Sequence, residues 1–224
     1  PGIVSSVEEV LEAAIDIASN GVSLDRIRPA VRPLAREARK VMRSSDIKNI
    51  PEVLKLAYAN VAPKLAGDPE RRAALDKEFA AVSTALADFP LARTMPFFDL
   101  PEGKEKDAGG LLSITINPQT CKGCNLCVDV CPDGALITVK QDDQVVEKLR
   151  RNWKLWERLP DTDDKYINIA SLEEGIGILP SLLLKKENYL SMMGGDGACM
   201  GCGEKTGLHL VLAAVNAMVL PRVH

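Results

Sequence analysis

With 224 residues, 46% of them hydrophobic, and a formal net charge of −3, the chain has the make-up of a soluble globular protein of one or two domains. That charge gives no general attraction to nucleic acid or anionic lipid, and no apolar run approaches the roughly 18 residues of a membrane span, so neither partner is expected. Aromatic residues make up only 4%, which leaves few large anchors and hints at a piece that borrows packing from neighbours.

Pro1-Gly2-Ile3-Val4 does not begin a basic region followed by an apolar stretch. No secretory leader is expected, and the expected compartment is the cytoplasm, where thiols stay reduced. Residues 1–110 hold no cysteine and read as helical. Ser6 and Glu9 form a capping-box pattern, and Val7, Val10, Leu11, Ala14, Ile15 and Ala18 then share one helical face. Gly21 is the expected stop. Leu24–Arg43 alternates basic and apolar residues, with Pro29 and Pro33 restricting its start. Arg36–Arg43 is a solvated face or a basic docking patch. Pro51 opens a helix over Glu52–Leu65. Asp68-Pro69-Glu70 caps another that runs to about Asp88, and Phe89-Pro90 ends it. The expectation is a small helical bundle, with Pro101–Gly110 as a linker.

Leu112–Ile116 alternates as a half-buried strand does. It leads into Cys121-Lys-Gly-Cys124-Asn-Leu-Cys127-Val-Asp-Val-Cys131-Pro132, a C-x2-C-x2-C-x3-C-P run. This is the spacing by which bacterial ferredoxins hold a [4Fe–4S] cluster. Wrapping several thiolates around one cubane requires a tight backbone curl, which Gly123 permits and Pro132 ends. Zinc sites usually pair two separated C-x2-C knuckles, and disulfides need an oxidising compartment, so both fit less well. Ala135–Val139 is the expected partner strand, completing half of a two-cluster ferredoxin.

Gln144–Arg158 reads as a basic helix in which Trp153 and Trp156 are packing anchors rather than electron relays. The second informative stretch runs from Gly194 to Thr206 and contains Cys199-Met-Gly-Cys202-Gly-Glu204. Two cysteines cannot complete a four-coordinate site. Either further ligands lie elsewhere or the pair is a redox C-x-x-C. Thr206 caps an expected helix over Gly207–Val219, in which His209 reads as a core residue.

A four-cysteine run followed by G-A-C-x-G-C-G-E resembles pyruvate:ferredoxin oxidoreductase of the single-chain type, from about Leu112 onward. The resemblance implies that Cys121, Cys124 and Cys127 ligate one [4Fe–4S] cluster. It implies that Cys199 and Cys202 ligate the cluster beside thiamine diphosphate, and that Glu204 lies at the thiamine site. A first-turn glutamate complementing the helix dipole is the plain alternative for Glu204. The family carries two cysteine runs in its ferredoxin domain, whereas this chain carries one. Cys131 therefore closes its own cluster, serves a cluster whose other ligands lie elsewhere, or stays a free thiol. The family also continues past the point equivalent to His224, so a truncated chain is expected.

The expected fold class is α+β. A helical segment (1–110) is followed by a ferredoxin-like domain (111–140), a linker region with a helix (141–190) and the start of an α/β thiamine diphosphate domain (191–224). The expected function is the iron–sulfur electron-transfer portion of an enzyme that decarboxylates a 2-oxoacid such as pyruvate to an acyl-CoA. Its implied cofactors are [4Fe–4S] clusters, thiamine diphosphate and Mg2+. Its implied partners are ferredoxin or flavodoxin, coenzyme A, the remaining domains or subunits and a second copy of itself in a homo-oligomer. No nucleophile–base pair is present, so the chain alone is expected to be inactive in decarboxylation. The alternative is a stand-alone iron–sulfur electron carrier without enzyme activity.

Overall fold

A computed structural model describes residues 1–19, 23–44, 49–121, 123–167 and 183–191, and positions 207, 210–212, 214, 215 and 218. Most of this structure is helical. Strand β1 (Gly2–Ser5) leads through Ser6 into α1 (Val7–Ala18). The capping box forms as expected: Ser6 Oγ accepts from the Glu9 amide and the Glu9 carboxylate accepts from the Ser6 amide. Helix α2 (Val31–Ser44) follows a single 3-10 turn at Arg28–Ala30. Helices α3 (Ile50–Leu65) and α4 (Pro69–Leu86) each carry proline in the first turn, where no amide is needed. Asp68 caps α4 by accepting from the Arg71 amide. α2 packs on α3, while α1 packs against α2, α4 and a later helix, α7 (Asp143–Arg158). The main apolar core runs from Ile3 through the four helices to Trp153, Leu155, Trp156 and Leu159, and a smaller cluster gathers Val4, Phe97, Tyr166 and Leu184.

The sheet differs from expectation. Strand β2 (Leu111–Ile114) forms, but its antiparallel partner is β1, with Val4 opposite Leu112 and Ser5 opposite Leu111. Residues 135–139 form no strand. Burial explains the choice, because β1 hides Ile3 and Val4 almost fully whereas Ile137 stays 76% exposed. Thr162 seals the edge of β1: its hydroxyl accepts from the Val4 amide and donates to the Leu184 carbonyl.

The stretch 101–110, expected as a linker, is packed instead. A π-helical turn at Met95–Asp99 continues into α5 (Leu100–Lys104), and Glu102 is buried, accepting from the Asp107 and Gly109 amides. Arg39, only 2% exposed, reaches out of α2 to hold Glu8 through two hydrogen bonds of 2.7 and 2.6 Å. Burial opposes its charge, but Glu8, Asp107 and Glu102 outweigh that, and its pKa rises. Gly110 passes so close to Tyr166 and Val4 that a Cβ there would lie 2.7 Å from both. Two short helices follow, α8 (Asp164–Ile167) and α9 (Lys186–Ser191). No described helix is long and apolar enough to cross a membrane.

Candidate metal centre

After β2 the chain turns at Asn117, whose carbonyl accepts from the Cys121 amide at 3.0 Å. Gly123 and Asn125 both take positive φ, +64° and +60°, so the backbone curls twice within the cysteine run. Nothing lies within 4 Å of a Cβ built on Gly123, so φ rather than space calls for glycine there. The single-turn helix α6 (Leu126–Asp129) then carries Cys127, and the Val128 and Asp129 amides donate back to the Asn125 carbonyl. The Asn125 side chain accepts from Thr138 Oγ1 at 3.1 Å and ties the far side of the loop to this curl.

Cys121, Cys124 and Cys127 border one cavity of about 310 Å3. That volume lies at the lower end of the range for small-ligand sites. All three cysteines are exposed and unpaired by disulfides. Among the described residues no three Cys, His, Asp or Glu side chains converge on a single-ion site. The three cysteines share the lining of one cavity, and a [4Fe–4S] cluster is the group whose chemistry matches soft thiolate donors at this spacing.

Cys131 departs from the other three. It is not part of the cavity wall, and its Sγ accepts from the Ala135 amide at 3.3 Å. The structure therefore brings together three of the four cysteines in the run. Cys199, Cys202 and Glu204 lie outside the described residues, as does His209. The described positions of the expected helix over 207–219 are helical.

Sequence reasoning missed the apolar wall. Val145, Val146 and Leu149, in the first turns of α7, also line the cavity. Their i, i+1, i+4 spacing was the available signal. α7 is thus apolar toward the cavity at its start and toward the core at its end. At its C-terminus Trp153 and Trp156 stack at 4.5 Å, and Lys186 Nζ lies 4.8 Å from the Trp156 ring. Both tryptophans are core residues, as expected of packing anchors.

The 4Fe-4S binding domain family matches residues 114–137. Over 117 residues the chain is 28% identical to a pyruvate-flavodoxin oxidoreductase of Rhodospirillum rubrum, covering 49% of this chain and 9% of that protein. It is 26% identical over 122 residues to a pyruvate-flavodoxin oxidoreductase of Nostoc sp., covering 51% and 9%. A relative from Synechocystis sp. is 29% identical over 129 residues, covering 54% and 10%. The chain spans about a tenth of the length of these curated relatives. No solved structure matches it. The resemblance read from the cysteine motifs therefore holds over about half the chain, together with an iron–sulfur domain.

Proposed function

We propose that this chain, similar over half its length to pyruvate-flavodoxin oxidoreductases, is the electron-transfer portion of a thiamine diphosphate-dependent 2-oxoacid oxidoreductase. The complete enzyme would decarboxylate pyruvate or a related 2-oxoacid to an acyl-CoA and pass the electrons to ferredoxin or flavodoxin. The observation that carries this reading is the convergence of Cys121, Cys124 and Cys127 on one apolar-walled cavity.

In this reading those three thiolates hold one [4Fe–4S] cluster, and residues 111–140 form the ferredoxin-like unit. A bound cluster supplies a site that accepts and releases one electron at a time. The chain's own task is to fix three sulfur donors and lower the local dielectric on one side of them. Val145, Val146 and Leu149 supply the apolar wall that does so. Cys131, which does not line the cavity, serves a second cluster whose other ligands come from the remaining enzyme, as the fourth cysteine of such runs does in two-cluster ferredoxins. Cys199 and Cys202 supply two ligands of a cluster beside the thiamine, and Glu204 contacts that cofactor. Mg2+, coenzyme A and the oxoacid are bound by parts of the enzyme beyond this chain, which assembles as a homo-oligomer.

A stand-alone electron carrier is the second reading. It is favoured by the continuous core shared by α7 and the helices of residues 1–86, which seats the cavity wall without further domains. One assay separates the two. Cluster-loaded chain is mixed with pyruvate, coenzyme A, thiamine diphosphate, Mg2+ and a redox dye. We expect no oxoacid-dependent dye reduction by the chain alone. We expect reduction once the other domains of the enzyme are added. Turnover by the isolated chain contradicts the division of labour, and continued silence with all other domains present favours the carrier.

A further inference from the structure

The metal cavity adjoins a charged helix. Leu149 forms part of its wall, and Arg150, Lys154 and Arg158 follow on α7 at four-residue spacing, one exposed stripe along the helix. No salt bridge within 4.0 Å links these three to a carboxylate among the described residues, whereas their neighbours Lys148 and Arg151 are paired by Asp88 at 3.0 and 3.3 Å. Hydrogen bonding from Lys148, ahead of Arg151, holds the Asp88 carboxyl below the usual carboxylate range, so that pairing persists into mild acid. Glu147 and Glu157 lie three residues from Arg150 and Lys154 on the same helix, and with Asp143 they leave α7 five basic and three acidic residues, a net charge of +2. At 1.5 Å per residue the stripe runs from the cavity wall to about 14 Å away. The helix is therefore a locally positive face on a chain whose net charge is −3, and screening confines the influence of groups farther off to about 8–10 Å.

Leu126 and Val130, close to Cys127 in the chain, and Ile137, which lines the cavity, are all exposed. An apolar centre at the redox site with a charged flank is the anatomy of a transient protein–protein contact.

Resting on the electron-transfer reading, we propose that the Arg150–Lys154–Arg158 stripe, with Leu126, Val130 and Ile137, is the docking face for an acidic one-electron carrier protein. The stripe steers the carrier by charge, and the apolar rim brings its redox group against the cluster. A bound cluster would give up one electron per encounter and the carrier would take up that one electron. No bond in this chain is made or broken.

The test uses the full chain, loaded with cluster and chemically reduced, with a purified acidic flavodoxin as probe. Electron transfer is followed by stopped flow at low salt and at about 0.5 M salt. The R150E/K154E/R158E variant should slow the second-order rate roughly tenfold or more at low salt, with the gap closing at high salt. R150Q/K154Q/R158Q, which keeps good helix formers, should lose an intermediate factor. Reversal of Arg71 and Lys77 on α4 should change nothing, and reduction of a small uncharged dye should be equal in all variants. A parent rate insensitive to salt, or a triple reversal as fast as the parent, overturns the docking face. Iron content is read first. If the chain takes up no iron, the electron-transfer reading fails, and NMR shifts in α7 on adding flavodoxin still decide whether this face binds it.

Discussion

A Cys124→Ala chain, reconstituted anaerobically with iron and sulfide, is expected to come back colourless, its iron content down roughly tenfold or more against the parent. Cys124 sits between the two positive-φ turns, at Gly123 and Asn125, and borders the cavity. Removing it leaves Cys121 and Cys127, too few donors to retain a cubane. Cys121→Ala and Cys127→Ala should behave alike. Cys131→Ala should keep its colour, because that residue does not line the cavity and its sulfur accepts from the Ala135 amide. Iron and acid-labile sulfide analysis with the visible spectrum checks all four variants. Loss of colour in Cys131→Ala would show that the fourth cysteine turns inward to close the same cluster.

The second large effect is structural and reaches the site through α7. Trp156 is 1% exposed, stacked on Trp153 and covered by Lys186. Truncating it to alanine should cost about 3–5 kcal/mol, a large share of the roughly 5–15 kcal/mol that holds a domain together. Trp156→Phe, which keeps much of the ring area, should cost clearly less. Urea unfolding followed by circular dichroism gives both values, provided the slope with denaturant is unchanged. The destabilised helix also carries Val145, Val146 and Leu149, so Trp156→Ala should release its iron to a chelator faster than the parent. Equal release rates would mean that the cavity wall does not depend on the core end of the helix.

Local signals were legible because local chemistry decides them. Ser6 and Glu9 satisfy orphan amides at the start of α1, and Pro51 and Pro69 open α3 and α4 where a missing amide costs nothing. Gly123 announced the curl that its φ of +64° delivers. The cysteine spacing, too, brought three thiols to one cavity.

What depended on distant partners was not legible. β2 could pair with any extended apolar segment, and nothing local distinguishes Ala135–Val139 from Gly2–Ser5. The winner is decided by which strand buries more against a core that only the folded helices create. The glycine- and charge-rich run 101–110 looked like a linker because its acids have their partners far off in sequence: Arg43 meets Glu102 and Arg39 approaches Asp107. The basic character of α7 concealed its two apolar patches, since each is only one or two turns long and they serve different neighbours. The fourth cysteine was ambiguous because one sequence pattern serves both a self-contained cluster and a shared pair.

The most direct measurement is iron and sulfide per chain, with the absorption and electron paramagnetic resonance spectra, on the parent protein purified and reconstituted without air. Four irons and four sulfides for each ferredoxin-like unit, as a [4Fe–4S] cluster requires, with bleaching and a paramagnetic signal on reduction, are the predicted result. A protein that binds one zinc per chain and no sulfide under the same conditions would contradict the account.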